Sequence, residues 1–135
     1  MNKIYSSPDK INQAKFIYEN EIRFGPAYFR LELNGMQISG KLFGDKLFWS
    51  PDSKYLAVEE WVTTDYQKGP ITRLLLLDLE NKKMSAFKTI NKGFLRKVEF
   101  LNDRLIYIKE YTATGRGAES EVEYKNIKNW DRIRL

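Results

Sequence analysis

The sequence predicts an all-β domain with one short N-terminal helix, in which about three antiparallel, blade-like sheets stack on one another. The first observation is a repeat, because the segment 48–61 returns in shortened form as the segment 99–111. Aromatic, acidic and apolar positions match at an offset of about 50 residues, which is typical of sheet repeats. Trp49, for example, corresponds to Phe100. The second observation is the alternation of apolar and polar residues along short segments between polar turns, which is typical of half-buried strands.

The composition fits one domain and removes several kinds of chemistry. A chain of 135 residues is long enough for one hydrophobic core. Cysteine and histidine are both absent, so the chain has no disulfide, no thiolate and no imidazole for proton transfer near neutral pH. We therefore expect no enzymatic activity, no cofactor and no metal site. The net charge is +5, but basic and acidic residues are interspersed, which is typical of a mixed, solvated surface.

The N-terminal arm, residues 1–15, is expected to contain the helix. Ser7-Pro8-Asp9 has the order of a helix start, with Ser as the capping residue and Pro at the first helical position, and predicts a helix over about residues 8–14. From Phe16 to Phe24 every second residue tends to be apolar, which predicts a strand with both phenylalanines on one face. Gly25-Pro26 is expected to end this strand.

Polar turns mark the strands that follow. Asn34-Gly35 predicts a tight hairpin, because both residues tolerate the positive φ angles of such a turn. Ser50 to Ser53 predicts a turn in which Pro presets φ and Asp bonds back to the backbone. The run Arg73 to Leu79 is apolar enough for a strand buried on both faces. After the arm, the blade-like repeats of the single domain are residues 16–45, 46–90 and 91–135.

The segment Phe48 to Val58, followed by Leu77-Asp78-Leu79, resembles the blades of β-propellers of the TolB and WD40 kinds. In those families an aromatic-Ser-Pro-Asp-Gly turn links the first two strands of a blade, and a Leu-Asp-Leu phrase marks the third. Ser53 stands here where those families usually have Gly. The resemblance implies sheets of three or four antiparallel strands. Because a propeller needs at least four blades to close, three repeats imply an open propeller fragment or a sandwich.

Two polar loops, residues 63–70 and 112–120, follow equivalent strands of the two copies. Equivalent loops of stacked sheets emerge on the same side, and loops on a rigid scaffold often carry function. Tyr and Arg are also enriched among the residues that dominate protein–protein binding. Solvated hairpin ends are the alternative interpretation. The predicted partner-binding residues are Asp65, Tyr66, Gln67, Lys68, Thr114, Arg116 and Glu119.

Other candidate sites are weaker. Glu59 and Glu60 are neighbours on a strand, so their side chains are expected on opposite faces, where they cannot act as one acid/base pair. Glu119, Glu121 and Glu123 share one strand face and are either a hard-cation site or, as we favour, a solvated row that discourages edge pairing. The aromatic residues near Lys46 and Lys54 are either base-stacking platforms or, as we favour, core residues.

In size, composition and character the chain looks like the small immunity proteins that bacteria encode beside contact-dependent and other interbacterial toxins. The resemblance implies a cytoplasmic, non-membrane protein that acts without catalysis. It would bind and block one cognate toxin, often a nuclease, as a monomer in a heterodimeric complex. Because the chain is basic, a toxin with an acidic or neutral surface suits it better. The alternative is a nucleic-acid-binding accessory protein that uses the basic excess.

Overall fold

The computed structural model describes residues 3–135, and this part of the chain is built from antiparallel β-strands with one short 3-10 helix, Tyr124–Asn126. No helix within the described residues is both long enough and apolar enough to cross a membrane. Residues 1 and 2 of the expected N-terminal arm lie outside the described range. The strands, in chain order, are β1 (Lys3–Ser6), β2 (Gln13–Glu21), β3 (Ala27–Leu33), β4 (Met36–Gln37), β5 (Leu42–Trp49), β6 (Tyr55–Trp61), β7 (Ile71–Asp78), β8 (Lys83–Ala86), β9 (Ile90–Asn91), β10 (Gly93–Phe100), β11 (Arg104–Tyr111), β12 (Gly117–Glu123) and β13 (Asp131–Arg132).

Ten of these strands form the main sheet, in the order β1-β2-β3-β5-β6-β7-β8-β13, with β4 paired to β3 and β9 paired to β7. The join between β3 and β5 is a single bridge, Phe29 to Phe43. The N–H of Ser39, in the segment after β4, donates to the carbonyl of Arg134, in the segment after β13, at 2.8 Å. The C-terminal segment therefore lies next to the connection between β4 and β5.

The first hydrophobic core lies against one face of the main sheet. Each fully buried Leu or Phe side chain stabilises the fold by about 1.5–3 kcal/mol relative to an exposed one. The central members of this core, all almost completely excluded from solvent, are Phe16, Leu31, Phe43, Leu56, Val58, Leu75 and Leu77.

The second sheet, β10-β11-β12, packs against the other face of β6 and β7. Leu74 and Leu76 of β7 meet Leu95 and Leu105 of this sheet in a second core. Because successive residues of a strand point to opposite faces, the run from Leu74 to Leu77 supplies both cores. The prediction that this strand is buried on both faces is confirmed.

The predicted helix over residues 8–14 is wrong. Ser7, Pro8 and Asp9 form a turn between β1 and β2 instead. The hydroxyl of Ser7 donates to the Asp9 carboxylate at 2.6 Å and accepts from the N–H of Asn12 at 3.1 Å. These hydrogen bonds stabilise the turn of a hairpin. The same Ser and Asp side chains that cap helices in other sequences therefore stabilise a connection between two strands here.

The same turn occurs at Ser50. Its hydroxyl donates to Asp52 at 2.6 Å and accepts from the N–H of Tyr55 at 2.9 Å. The two turns also touch, because the N–H of Asp9 donates to Oγ of Ser53 at 3.0 Å. The Ser-Pro-Asp turn is therefore a repeated element that joins the strands of two hairpins, β1-β2 and β5-β6.

The all-β class is confirmed, and the sheets are antiparallel and do not close. The predicted Asn34-Gly35 hairpin is also confirmed, with φ angles of 52° and 83°. Where about three separate sheets were expected, the structure has two, because the bridge from Phe29 to Phe43 joins the first two units into one sheet.

Candidate functional site

The two loops that were predicted from the sequence to bind a partner lie side by side, and backbone hydrogen bonds of Lys92 connect them. The N–H of Lys92 donates to the carbonyl of Pro70 at 2.7 Å. The carbonyl of Lys92 accepts from the N–H of Thr112 at 2.9 Å and from its hydroxyl at 3.1 Å. At Lys92 the chain leaves the main sheet for the second sheet, with a φ of 58°. The loops 62–70 and 112–116 therefore form one continuous surface.

In the first loop, three of the predicted residues are exposed and one is not. Asp65, Gln67 and Lys68 are exposed, and the Asp65 carboxylate accepts from the N–H of Gln67 at 3.2 Å. Tyr66 is half-buried, with its ring stacked on Trp61 at a centroid distance of 6.1 Å and an angle of 23°. Tyr66 thus anchors this loop to the sheet below it.

In the second loop, Thr114 and Arg116 are exposed. The Thr114 hydroxyl accepts from the N–H of Arg116 at 3.2 Å, and the carbonyl of Arg116 accepts from the N–H of Tyr111 at 3.0 Å. These bonds hold Arg116 at the surface. Glu119 lies apart from the other predicted residues, inside β12 opposite Ile108.

An aromatic cluster underlies the first loop and connects the two sheets. Trp61, at the end of β6, is 4 % exposed. Its ring lies 5.5 Å from that of Tyr28 on β3 and 6.3 Å from that of Phe94 on β10. Together with Tyr66, these rings form what we call the aromatic cluster, and aromatic pairs of this spacing add about 0.5–1.5 kcal/mol each beyond burial.

Glu59 is a buried carboxylate beside this cluster, with a side chain only 3 % exposed. One oxygen, Oε2, accepts from the N–H of Leu95 at 2.8 Å, next to the bulge in β10, and lies 3.9 Å from Nζ of Lys46. The other oxygen, Oε1, packs against Gly44, where a side chain would overlap it. Burial raises the pKa of Glu59, and Lys46 and the Leu95 N–H oppose this rise only in part.

A cavity of about 160 Å³ opens beside Glu59. Asp45 and Lys46 lie on its β5 side, and the Lys46 ammonium is 5.3 Å from the centre of the Phe94 ring. Nε1 of Trp61 is buried and has no hydrogen-bond partner of good geometry. The residues around this cavity are Pro26, Ala27, Gly44, Asp45, Lys46, Glu59, Trp61 and Phe94.

The hairpin 22–26 carries the most exposed large apolar side chain among the described residues. Phe24 is 97 % exposed, with a φ of 58°, and the Arg23 guanidinium lies 5.2 Å from the centre of its ring. The prediction that Phe24 continues the apolar face of Phe16 is wrong, because β2 ends at Glu21. Phe24 is therefore a candidate partner-binding residue that the alternation of apolar and polar residues in the sequence did not reveal. The hairpin 22–26 and the loops 62–70 and 112–116 together are called the loop-end face below.

The neighbouring carboxylate, Glu60, is fully engaged on the opposite face of β6. Arg73 contacts both of its oxygens, at 2.9 and 3.1 Å, and Lys41 lies 3.2 Å away. The prediction that Glu59 and Glu60 point to opposite faces is therefore confirmed.

The row of carboxylates on β12 is solvated and partly paired. Glu121 lies 3.2 Å from Arg104, and Glu123 lies 3.4 Å from Lys125. Within residues 3–135 no three acidic side chains are grouped as a metal site would require. The aromatic residues that were weighed as stacking platforms are packed: Phe48 and Tyr55 against the second core, Trp49 against the first.

Comparison of the chain with protein-family models, with curated proteins and with solved structures finds no match. The loop-end face, the aromatic cluster and the Glu59 cavity are the features of the molecule that bear on its function.

Proposed function

We propose that this protein is a protein-binding module without catalytic activity, and that it is an immunity protein which neutralises a cognate bacterial toxin by binding and blocking it. The observation that carries the proposal is the loop-end face, where Phe24 is 97 % exposed and Arg23 is exposed at the same end of the fold as the two ordered loops. An exposed Phe under an Arg is the kind of anchor that dominates protein–protein interfaces when a partner buries it.

The scaffold behind this face suits such a role. Backbone hydrogen bonds through Lys92 tie both loops to the strands, and the stacking of Tyr66 on Trp61 holds the first loop in place. A rigid surface loses little conformational entropy on binding, so more of the contact energy becomes affinity. The description of the chain as blade-like repeats belongs to the same proposal, with the first two repeats joined in one sheet and the loops presented at one end.

The charges of the loop-end face favour an acidic partner surface. Arg23, Lys68 and Arg116 are exposed there, Lys92 is exposed between the two loops, and Asp65 is the acidic residue of the face. Opposite charge across an interface accelerates association and excludes wrong partners. The cytoplasmic location and the heterodimeric complex with one toxin, which can be a nuclease, are parts of this proposal.

The same cluster of positive charge favours a second candidate function, the binding of nucleic acid. Phosphate contacts would come from these four side chains, and affinity would then fall steeply with salt. The two functions predict different partners. Purification of a tagged copy from its native cells, at low and then at high salt, distinguishes them. Stoichiometric protein retained at high salt supports the binding module, and nucleic acid lost on raising the salt supports the alternative.

A further inference from the structure

The Glu59 cavity is an acidic and aromatic recess beneath a basic surface. Asp45 and Glu59 contribute two carboxylates to its lining, and Lys46 contributes one cation. Its walls include the rings of Trp61 and Phe94. Buried carboxylates are normally paired with a close cation, because an unpaired buried charge is costly. The Lys46 contact with Glu59, at 3.9 Å, is a long ion pair, and 37 % of the Lys46 side chain remains exposed.

We infer that this cavity binds an arginine side chain of the partner protein. The inference rests on the proposed function, because it names the chemistry of the partner at the same end of the molecule. The arginine would take the position that the Lys46 ammonium now holds, over the Phe94 ring and beside Glu59.

The geometry favours a guanidinium over an ammonium. A guanidinium is planar, stacks on aromatic faces, is weakly hydrated and binds a carboxylate through two parallel hydrogen bonds. Oε2 of Glu59 already accepts from the N–H of Leu95. Oε1 packs against Gly44, so a guanidinium would approach the carboxylate from the side that Lys46 now faces.

The size of the cavity also fits. Its volume of about 160 Å³ is well above the roughly 10–15 Å³ that one water molecule needs by the same kind of measure. This space suits a guanidinium and the methylene next to it. Lys46 lies at the cavity wall with 37 % of its side chain exposed, so it can move into solvent when a better cation arrives.

The test uses the indole N–H signal of Trp61 in a two-dimensional nitrogen–proton NMR spectrum, assigned with Trp61→Phe. The probe is N-acetyl-L-arginine methylamide at millimolar concentration. The control ligand is the citrulline analogue, which has the same shape without the charge. We expect the arginine probe to shift the Trp61 signal and the citrulline probe to leave it unchanged. Equal shifts with both ligands, or no shift with arginine, would overturn the inference, as would tighter binding of the lysine analogue.

Two variants separate a binding site from a structural one. Lys46→Ala removes the competing cation, and the arginine probe should bind up to about fivefold more tightly. If the arginine probe binds Lys46→Ala with unchanged or weaker affinity, Lys46 does not compete for the site and the inference is contradicted. Glu59→Gln should abolish the shift, and the indole signals of Trp49 and Trp130 report whether that variant stays folded. If Glu59→Gln unfolds, titration of Lys46→Ala with the arginine probe tests the inference by itself.

This test is independent of the partner. If the arginine probe does not bind while a protein partner is retained through Phe24, the arginine site is wrong and the proposed function stands. If the probe binds while purification yields no protein partner, the cavity is a cation site and the proposed function fails.

Discussion

Glu59 links the two sheets through one hydrogen bond, from the N–H of Leu95. Its carboxylate is almost fully buried, and burial raises its pKa above the ordinary value of 4.5. The folded state therefore holds this proton more strongly than the unfolded state does. The stability that the proton contributes is fully present below pH 4.5, and it is lost as the pH rises through the pKa of the folded state.

The first prediction concerns this pH dependence. Relative to Glu59→Gln, the wild type should lose unfolding free energy as the pH rises from 4.5 through the folded pKa, and the difference should then level off. Urea denaturation of both proteins at several values from pH 4 to pH 8 measures the difference. Parallel profiles over this range would show that Glu59 does not titrate as its burial requires.

The second prediction concerns Gly44. A Cβ at this position would overlap Oε1 of Glu59 and lie 3.2 Å from Nε1 of Trp61. Gly44→Ala should therefore displace the carboxylate from Leu95 and destabilise the fold by about 1–3 kcal/mol, the usual cost of an unsatisfied buried polar group. Gly117→Ala is the matched control, because a Cβ there makes only ordinary contacts at 3.5 Å or more. Equal stabilities of the two variants in urea denaturation would refute the close packing at Gly44.

At the scale of elements, the Ser-Pro-Asp turn is a structural feature that occurs twice in the fold. Ser7 and Ser50 are both 2 % exposed. Each hydroxyl donates to an Asp carboxylate and accepts from a backbone N–H five residues further on, at or just before the start of the next strand. Two turns with the same bonds should respond alike to the same substitution.

The third prediction follows from these bonds. Ser7→Ala and Ser50→Ala should each lower the free energy of unfolding by about 1–3 kcal/mol, because the Asn12 or Tyr55 N–H loses its acceptor. Chemical denaturation measures both. A large loss for Ser50→Ala with none for Ser7→Ala would mean that the first turn is not the equivalent of the second.

The turn also shows where prediction from sequence reached its limit. A Ser-Pro-Asp sequence can begin a helix or form the turn of a hairpin, with the same side-chain hydrogen bonds in both. Residues 7–9 alone therefore could not distinguish a helix start from a hairpin turn. The same three residue types at 50–52 were correctly predicted as a turn, so comparison of the two sites is the signal that would have indicated a turn at 7–9 as well. Phe24 was missed for a related reason, because alternation continued past Glu21, where the strand ends.

At the scale of the whole molecule, the repeat predicted the all-β class, but local patterns do not specify which strands of different units pair. The bridge from Phe29 to Phe43 joins two units, and it depends on how the finished layers fit. The Glu59 cavity lies at the same meeting point, and its lining comes from β3, β5, β6 and β10. The two loops could be predicted from the sequence because polar residues mark turns. The cavity could not be predicted, because it forms only when the two sheets have packed together.

The fourth prediction concerns the loop-end face as a unit. Phe24 is 97 % exposed and Arg116 is exposed, so Phe24→Ala and Arg116→Glu should leave the thermal midpoint nearly unchanged. Each should weaken binding of the partner by about tenfold or more, as truncation of a central interface residue does. Tyr66 is less suitable for this test, because its stacking on Trp61 also stabilises the fold.

The most direct test of the binding-module proposal is a measurement of partner affinity. The protein is purified with its partner from its native cells, and calorimetry then compares the wild type with Phe24→Ala, Arg116→Glu and the control Lys54→Glu, which lies in the turn at the other end of β6. We predict a single protein partner whose affinity falls in both loop-end variants and is unchanged in the control. Equal affinity for all four proteins, or co-purification of nucleic acid alone, would contradict the proposal.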